Sequence, residues 1–254
     1  GGTVSRLEGP HAGHPMGVDP MSGVLYGVGL GPGDPELMTR KAHRLISSAR
    51  VVAYPAPDTG ESFARSIAAD ILPNDAIELP IVIPMRTARF PAQEVYDAAA
   101  QEISGHLEQG QDVVVLCEGD PFFYGSFMYL FARLADRFEV EVVPGVTSLT
   151  ACAALSHRPL CARNEALAVV PGPEEAGALE KALSAGQATA ILKVGRHLPR
   201  LRAEIAQAGL LDRAIYVSHA SLPQQRVCPL ADAPETAPYF SMILIGGEDP
   251  YGTL

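Results

Sequence analysis

A chain of 254 residues with a formal net charge of −10 is long enough to bury a substantial core, in one large domain or two small ones. Its acidity argues against broad binding to nucleic acid or to anionic membranes. No apolar run reaches membrane-spanning length and no basic-then-apolar signal segment is present, so we expect a soluble, cytoplasmic protein.

The cysteines and histidines give no metal-binding pattern. Four cysteines occur without any CxxC pair, so we predict neither a zinc site nor a disulfide framework. They are typical of small buried hydrophobic residues in a reducing compartment. The cysteines are Cys117, Cys152, Cys161 and Cys228.

The first twenty residues are rich in Gly, Pro and His and have no periodicity. Met21 then precedes a clear strand, so we predict that residues 1–21 are a flexible tail or an expression remnant. The histidines of this segment, His11 and His14, are therefore discounted as metal ligands.

The first apolar segment, residues 24–30, predicts a short strand, and a glycine-rich loop follows it at once. This loop, Gly29–Asp34, reads GLGPGD, and its glycines permit positive φ and close approach of another molecule. It is not a dinucleotide fingerprint, because the GxGxxG spacing fails from both Gly27 and Gly29. It is not a Walker A loop either, because the chain contains no Gly-Lys pair.

The next segments alternate between helix and strand. Asp34 as cap and Pro35 at the first helical position predict a helix that continues to Ala49. A strand at 51–54 and a helix at 62–72 follow. Residues 76–83 are rich in strand-forming residues but contain a proline, which favours an edge strand or a bent strand. A loop with two arginines, at 84–90, then leads into a long helix from Pro91 to about Gln109.

The apolar run Val113–Leu116 is typical of a strand buried on both faces of a sheet. It ends at Glu118-Gly119-Asp120-Pro121, where a carboxylate, a glycine and a proline crowd into four positions. In open α/β sheets, ligands bind outside the carboxyl ends of strands. The alternative is a tight turn that only connects the strand to the next helix.

A third turn of the same kind, Pro144–Ser148, closes a strand at 140–143, and Thr147 is a good cap for the small-residue helix after it. Strands and helices continue to alternate to about residue 245. We therefore predict an α/β fold whose first half is mostly a parallel sheet, with an N-terminal domain at 22–138 and a C-terminal domain at 139–254.

The three turns GLGPGD, EGDPFFYG and VPGVTS, each directly after an apolar strand, together resemble the tetrapyrrole methyltransferases that use S-adenosylmethionine. The resemblance covers Gly23 to about Gly247. It implies two α/β domains with the cofactor in the cleft between them, a product S-adenosylhomocysteine, and a homodimer. No metal is expected, because no metal-ligand motif is present and sulfonium chemistry needs no Lewis acid.

Within that family the chain is most similar to the precorrin-2 C(20)-methyltransferases of cobalamin biosynthesis. The segments that carry this finer match are VVAYP, CEGDPFFYGSFMYL, VVPGVTSLTACAAL and ILKVGR. Enzymes acting on uroporphyrinogen III typically have Gly-Gly-Asp where this chain has Glu118-Gly119-Asp120. They remain the alternative, together with other precorrin methyltransferases and a non-catalytic tetrapyrrole-binding protein.

The resemblance also implies which residues surround the cofactor. They are Pro32, Glu118, Gly119, Asp120, Phe123, Thr147, Ser148, Val194, Ala220, and Ser241 or Met242.

A tetrapyrrole substrate carries several carboxylates, so an acidic protein must concentrate positive charge locally to bind it. We predict Arg86 and Arg89 as the substrate-binding residues, since arginine pairs with carboxylates in bidentate geometry. Lys193, Arg196 and Arg158 form the second group of candidates. No proton acceptor is identified, although His157, Tyr124 and Glu118 have suitable side chains.

Overall fold

The computed structural model describes residues 19, 21–84, 93–172, 176–185 and 187–247. These residues form two compact units. Unit 1 contains the described residues up to Leu30 and the segment Met38–Gly145, and unit 2 contains Gly31–Leu37 and the described residues from Val146 onward.

Unit 1 is built on a parallel five-stranded sheet. Its strands are β1 (Leu25–Gly29), β2 (Val51–Pro57), β3 (Ile77–Ile83), β4 (Val113–Cys117) and β5 (Val140–Val143). They lie in the order β3-β2-β4-β1-β5, so β3, the strand that contains Pro80, is an edge strand as predicted. Every residue of the central strand β4 is buried, because helices cover both faces of the sheet.

Four helices supply those two layers. They are α1 (Arg40–Ser47), α2 (Phe63–Ala68), α3 (Gln93–Glu108) and α4 (Phe127–Leu134). Apolar residues of α3 and α4 pack on one face of the sheet, and those of α1 and α2 pack on the other.

The helix predicted to start at Asp34 begins later. Asp34 accepts a hydrogen bond from the N–H of Glu36 (2.9 Å) and starts only a short 3-10 turn, Pro35–Leu37. Thr39 is the cap of α1, and its hydroxyl accepts from the N–H of Ala42 at 3.1 Å. The Asp34-Pro35 pair therefore marks the start of the short 3-10 turn and not the start of α1.

The predicted domain boundary after residue 138 also differs from the structure. Strand β5 pairs in parallel with β1, from Leu25 opposite Val140 to Val28 opposite Val143, so it belongs to the sheet of unit 1. The contacts divide the chain after Gly145 instead.

Unit 2 contains a mixed five-stranded sheet in the order β6-β7-β10-β8-β9. Its strands are β6 (Leu167–Pro171), β7 (Ala188–Leu192), β8 (Ala214–Ser218), β9 (Arg226–Pro229) and β10 (Ser241–Ile245). Only β6 and β7 are parallel, while β10 runs antiparallel to both β7 and β8. Its helices are α5 (Ser148–Leu155), α6 (Ala176–Ser184) and α7 (Leu198–Gln207). The α/β class predicted from the sequence is confirmed.

Two of the four cysteines match the prediction of burial. Cys117 and Cys152 are buried, and burial raises the pKa of both thiols. Cys161 is exposed and Cys228 is half-buried, so the prediction is wrong for Cys161. Cys161 lies in an irregular segment between α5 and β6, where no sheet or helix layer covers it. No helix among the described ranges is both long and apolar enough to cross a bilayer.

An ion pair attaches α2 to the edge of the sheet and gives unit 1 an acid-sensitive contact. Arg65 donates two hydrogen bonds to the Glu78 carboxylate, at 2.6 and 2.8 Å, and the Tyr54 hydroxyl donates a third at 2.7 Å. These bonds lower the pKa of Glu78 from 4.5 to about 2. Its ionised form therefore stabilises the fold above pH 4.5, and that contribution is lost as the pH falls towards 2.

We expect Glu78→Gln to remove about 1 kcal/mol of stability at pH 7, because both side chains are partly exposed to solvent. The loss should shrink as the pH falls from 4.5 to 2, and urea unfolding across that range would measure it. Glu108→Gln, which breaks the more exposed Arg137–Glu108 pair, is the matched control and should change stability less. A pH-independent difference between Glu78→Gln and the wild type would contradict this interpretation.

Candidate functional site

The glycine turns after β1, β4 and β5 meet at one edge of the sheet of unit 1. Gly29, the last residue of β1, is paired with Cys117, the last residue of β4. Val28 is paired with Val143 at the end of β5. Because the three strands are parallel, the segments that follow them leave the sheet at the same edge, which is the usual ligand position in such sheets.

The turns are packed so closely that two glycines are required. A Cβ atom added to Gly29 would lie 2.7 Å from the carbonyl oxygen of Gly119 and 2.7 Å from the N atom of Gly145. A Cβ added to Gly145 would lie 2.9 Å from Cα of Gly29 and still closer to the Gly119 oxygen. Contact between backbones therefore explains these two glycines without any ligand.

Asp120 joins two of these turns through both of its carboxylate oxygens. Its Oδ1 accepts from the N–H of Phe122 at 2.9 Å, and its Oδ2 accepts from the N–H of Gly145 at 3.0 Å. The first bond forms the turn after β4, and the second fixes that turn to the one after β5. Asp120 thus has the turn-forming role that the sequence offered as the alternative to ligand binding. A contact with a ligand would be made in addition to these two hydrogen bonds.

Glu118 is a half-buried carboxyl group at this edge. Burial raises the pKa of Glu118, and a hydrogen bond from the N–H of Ala64, at the start of α2, opposes that rise. Phe123 is half-buried and packs edge-on against Tyr124, with ring centroids 4.9 Å apart. Tyr124 itself has a positive φ of 55° and is exposed.

In unit 2, four predicted cofactor residues lie at one edge of the second sheet. Strand β7 ends at Leu192, which is paired with Met242, and β8 ends at Ser218, which is paired with Ser241. The ends of β7 and β8 therefore meet the start of β10. This antiparallel register brings together Val194, Ala220, Ser241 and Met242.

The same edge contains three non-glycine residues in the left-handed region. Lys193 has φ 56°, His219 has φ 48° and Ser221 has φ 65°. Lys193 directly precedes Val194, and the other two flank Ala220. Such conformations cost about 1–3 kcal/mol each and cluster at functional sites. They are the strongest geometric indication of a binding site in unit 2.

The side chains of Val194, Ser241 and Met242 are buried, and these residues contribute packing and hydrogen bonds to this edge of the sheet. Val194 is fully buried, its N–H donates to the carbonyl of Ser241 (3.2 Å), and its carbonyl accepts from His197. The Ser241 hydroxyl accepts from the N–H of Gly195 at 3.3 Å and donates to the carbonyl of Pro238 at 2.6 Å. Met242 is 4% exposed. Ala220, in contrast, is half-buried between two left-handed residues.

The loop that contains Pro32 reaches the turn after β8. The N–H of Asp34 donates to the hydroxyl of Ser221 at 3.0 Å. A Cβ added to Gly33 would lie 2.7 Å from the Leu222 side chain. Pro32 is half-buried within this loop. Sequence reasoning missed Ser221, because a serine with positive φ has no signature in the sequence.

Thr147 is the N-cap of α5, as predicted, and its hydroxyl accepts from the N–H of Thr150 at 3.4 Å. Ser148 is the exposed first residue of that helix. Among the other candidates, His157, Arg158 and Arg196 are exposed. Arg86 and Arg89 lie outside the described residues.

Among the residues that the structure describes, no group of three or more His, Cys, Asp or Glu side chains could hold a metal ion.

Comparison with known proteins identifies the family. Residues 24–234 match the family model of the tetrapyrrole (corrin/porphyrin) methylases. The chain is 40% identical to the precorrin-2 C(20)-methyltransferase of a Sinorhizobium species, over 89% of this chain and 98% of that protein. It is 31% identical to the cobalt-precorrin-2 C(20)-methyltransferase of Salmonella typhimurium, over 91% of this chain and 99% of that protein.

A solved structure agrees with this assignment. The uroporphyrin-III C-methyl transferase of Thermus thermophilus, solved with S-adenosylhomocysteine, superposes with a TM-score of 0.63 at 28% identity. The alignment covers 89% of this chain and 92% of that one. The protein described here is therefore a member of the tetrapyrrole (corrin/porphyrin) methylase family.

Proposed function

We propose that the protein methylates the C-20 meso carbon of precorrin-2, giving precorrin-3A, in cobalamin biosynthesis. The observation that carries this proposal is the 40% identity to a precorrin-2 C(20)-methyltransferase along 98% of that enzyme. The match therefore extends along nearly the whole enzyme and not only over the three glycine turns. The uroporphyrin-III enzyme matches at lower identity, 28%, and supplies the alternative substrate.

We propose S-adenosylmethionine as the methyl donor, and the residues of both sheet edges fit such a cofactor. In unit 2, the left-handed residues around Ala220 present backbone at the edge of the sheet, where the polar groups of a nucleoside can be bound. In unit 1, Glu118 offers a half-buried carboxyl group at the end of β4, where it can form hydrogen bonds with a polar ligand. The cofactor supplies an activated methyl group on a sulfonium, so the protein has mainly to bind and align the reactants.

The proposed cofactor residues differ in what they contribute. Asp120 and Gly119 shape the turn after β4, and Val194 and Ser241 fix the edge of the second sheet. The remaining proposed contacts are Pro32, Glu118, Phe123, Thr147, Ser148, Ala220 and Met242.

For the substrate carboxylates, we still propose Arg86 and Arg89, on the sequence argument alone. The double change Arg86→Gln with Arg89→Gln is expected to raise the KM for the tetrapyrrole and to leave cofactor affinity unchanged.

Methyl transfer from radiolabelled S-adenosylmethionine tests the function directly. We expect label to enter precorrin-2 and not uroporphyrinogen III under identical conditions. Cobalt-precorrin-2 should be tested in the same assay, because the Sinorhizobium relative is named for precorrin-2 and the Salmonella relative for cobalt-precorrin-2. Preferential labelling of uroporphyrinogen III, or no labelling of any tetrapyrrole, would overturn the proposal.

We also propose that catalysis needs no metal, since sulfonium chemistry requires no Lewis acid. Activity is expected to survive treatment with EDTA. Loss of activity that zinc or magnesium restores would contradict this. We further propose that the protein is cytoplasmic and forms a homodimer. Sedimentation of the purified protein would test the dimer.

A further inference from the structure

Unit 2 has an exposed aromatic pair directly before β10. Tyr239 is 59% exposed and Phe240 is 48% exposed, and their rings are edge-on with centroids 5.4 Å apart. All other large hydrophobic side chains with this degree of exposure among the described residues belong to unit 1. A concentrated exposed apolar surface on a folded protein commonly marks a binding site.

The backbone of this pair is fixed on both sides, so its exposure is not that of a loose loop. The N–H of Ser241 donates to the carbonyl of Tyr239 at 2.8 Å, and the N–H of His219 donates to the carbonyl of Phe240 at 3.1 Å. On the other side, a Cβ added to Gly195 would lie 3.8 Å from Cα of Tyr239. The turns after β7 and β8 thus hold the two aromatic residues between them.

Positive charge lies beside the pair. The turn that contacts Tyr239 contains Lys193 and Arg196, on either side of Val194 and Gly195. Arg196 is exposed, and Lys193 is held in the left-handed region. On a chain with a net charge of −10, an exposed arginine next to an exposed aromatic surface favours a ligand that is flat and apolar in its centre and anionic at its rim.

We propose that Tyr239 and Phe240 form the surface on which the macrocycle of the tetrapyrrole substrate packs, and that Arg196 pairs with one of its peripheral carboxylates. This inference rests on the proposed function, because a tetrapyrrole is the ligand that combines those two properties. The rings contribute apolar and stacking contacts, and the guanidinium contributes a charge-assisted hydrogen bond. Tyr239, Phe240 and Arg196 therefore determine substrate affinity and leave cofactor affinity unaffected.

Binding of uroporphyrin III, a stable polycarboxylate tetrapyrrole with strong fluorescence, tests the inference without turnover. Tyr239→Ser with Phe240→Ser is expected to raise the Kd of the probe about tenfold or more, on the scale of two lost aromatic contacts. Arg196→Gln should raise it roughly threefold to tenfold and reduce its dependence on salt. In both variants the Kd of S-adenosylhomocysteine should stay within about twofold of the wild type.

Matched controls lie in unit 1. Ile77→Ser with Val82→Ser removes two apolar side chains of similar exposure, 45% and 46%, from the edge strand β3. Arg50→Gln removes an exposed arginine at the amino end of β2. Both control variants should bind the probe like the wild type.

Four results would overturn the inference. They are wild-type probe affinity in the aromatic variant, no binding of the probe by the wild type, an equal loss of S-adenosylhomocysteine affinity, and a change from dimer to monomer without a change in probe binding. The third would assign the pair to the cofactor and the fourth to a second copy of the chain.

If labelled methyl still enters precorrin-2 in such a case, the proposed function stands while this inference fails. If the pair binds the probe but no tetrapyrrole is methylated, the proposed function fails.

Discussion

Gly145→Ala is expected to destabilise the protein by about 3 kcal/mol or more, at the upper end of the cost of overpacking. The new methyl group would meet the Gly119 carbonyl and Cα of Gly29, which are backbone atoms of two neighbouring turns. Neither can move by a change of rotamer, so a whole turn must shift. Urea unfolding, read by circular dichroism, measures the loss.

Gly105→Ala is the matched control for this substitution. Gly105 lies inside α3, and a Cβ added there would meet nothing within 4 Å. Alanine in a helix interior is more favourable than glycine, so this variant should gain about 0.5–1 kcal/mol. Equal stability of Gly145→Ala and the wild type would show that the three turns are not packed as described.

Asp120→Ala is expected to lower the affinity for S-adenosylhomocysteine about tenfold or more and to cost about 1–3 kcal/mol of stability. The change removes the acceptor of the Phe122 and Gly145 N–H groups, and the second of these is only partly accessible to solvent. The turns after β4 and β5 would then lose their common attachment. Calorimetric titration and urea unfolding measure the two effects.

Asp112→Ala separates these two effects. Asp112 also accepts a backbone hydrogen bond, from Val24 at 2.8 Å, but it lies at the opposite, amino end of β1 and β4. This variant should lose some stability and keep its cofactor affinity. If Asp112→Ala and Asp120→Ala weaken cofactor binding equally, or if neither does, the turn after β4 has no specific part in binding.

Strands that are buried in a parallel sheet could be predicted well, because their apolar runs are continuous and end at glycine or proline. The central strand β4 is an example. The edge strand β3 was predicted for a different reason, the proline within it. Strand β9 was not predicted, since it is only four residues long, its two outer residues are exposed, its two inner residues are half-buried, and it contains no apolar run. The domain boundary could not be placed, because nothing in the sequence of β5 indicates which sheet it joins.

The glycines identified the three turns of the candidate site in the sequence, but they did not show why glycine is needed there. Gly29 and Gly145 are required by contact between turns, a tertiary effect that no local pattern shows. Likewise, both carboxylate oxygens of Asp120 accept hydrogen bonds from backbone N–H groups of the protein, and no local pattern shows this. The left-handed His219 and Ser221, which mark the edge of the second sheet, could not be predicted, because positive φ is uncommon for any residue other than glycine, even for histidine, in which it is enriched.

The position of the transferred methyl group tests the central claim most directly. Precorrin-2 incubated with the protein and S-adenosylmethionine labelled with 13C in its methyl group should gain one labelled methyl. Carbon NMR of the product should place that methyl on C-20, as proposed for a protein related to a precorrin-2 C(20)-methyltransferase along nearly its whole length. A labelled methyl at any other carbon, or an unlabelled product, would contradict the proposed function.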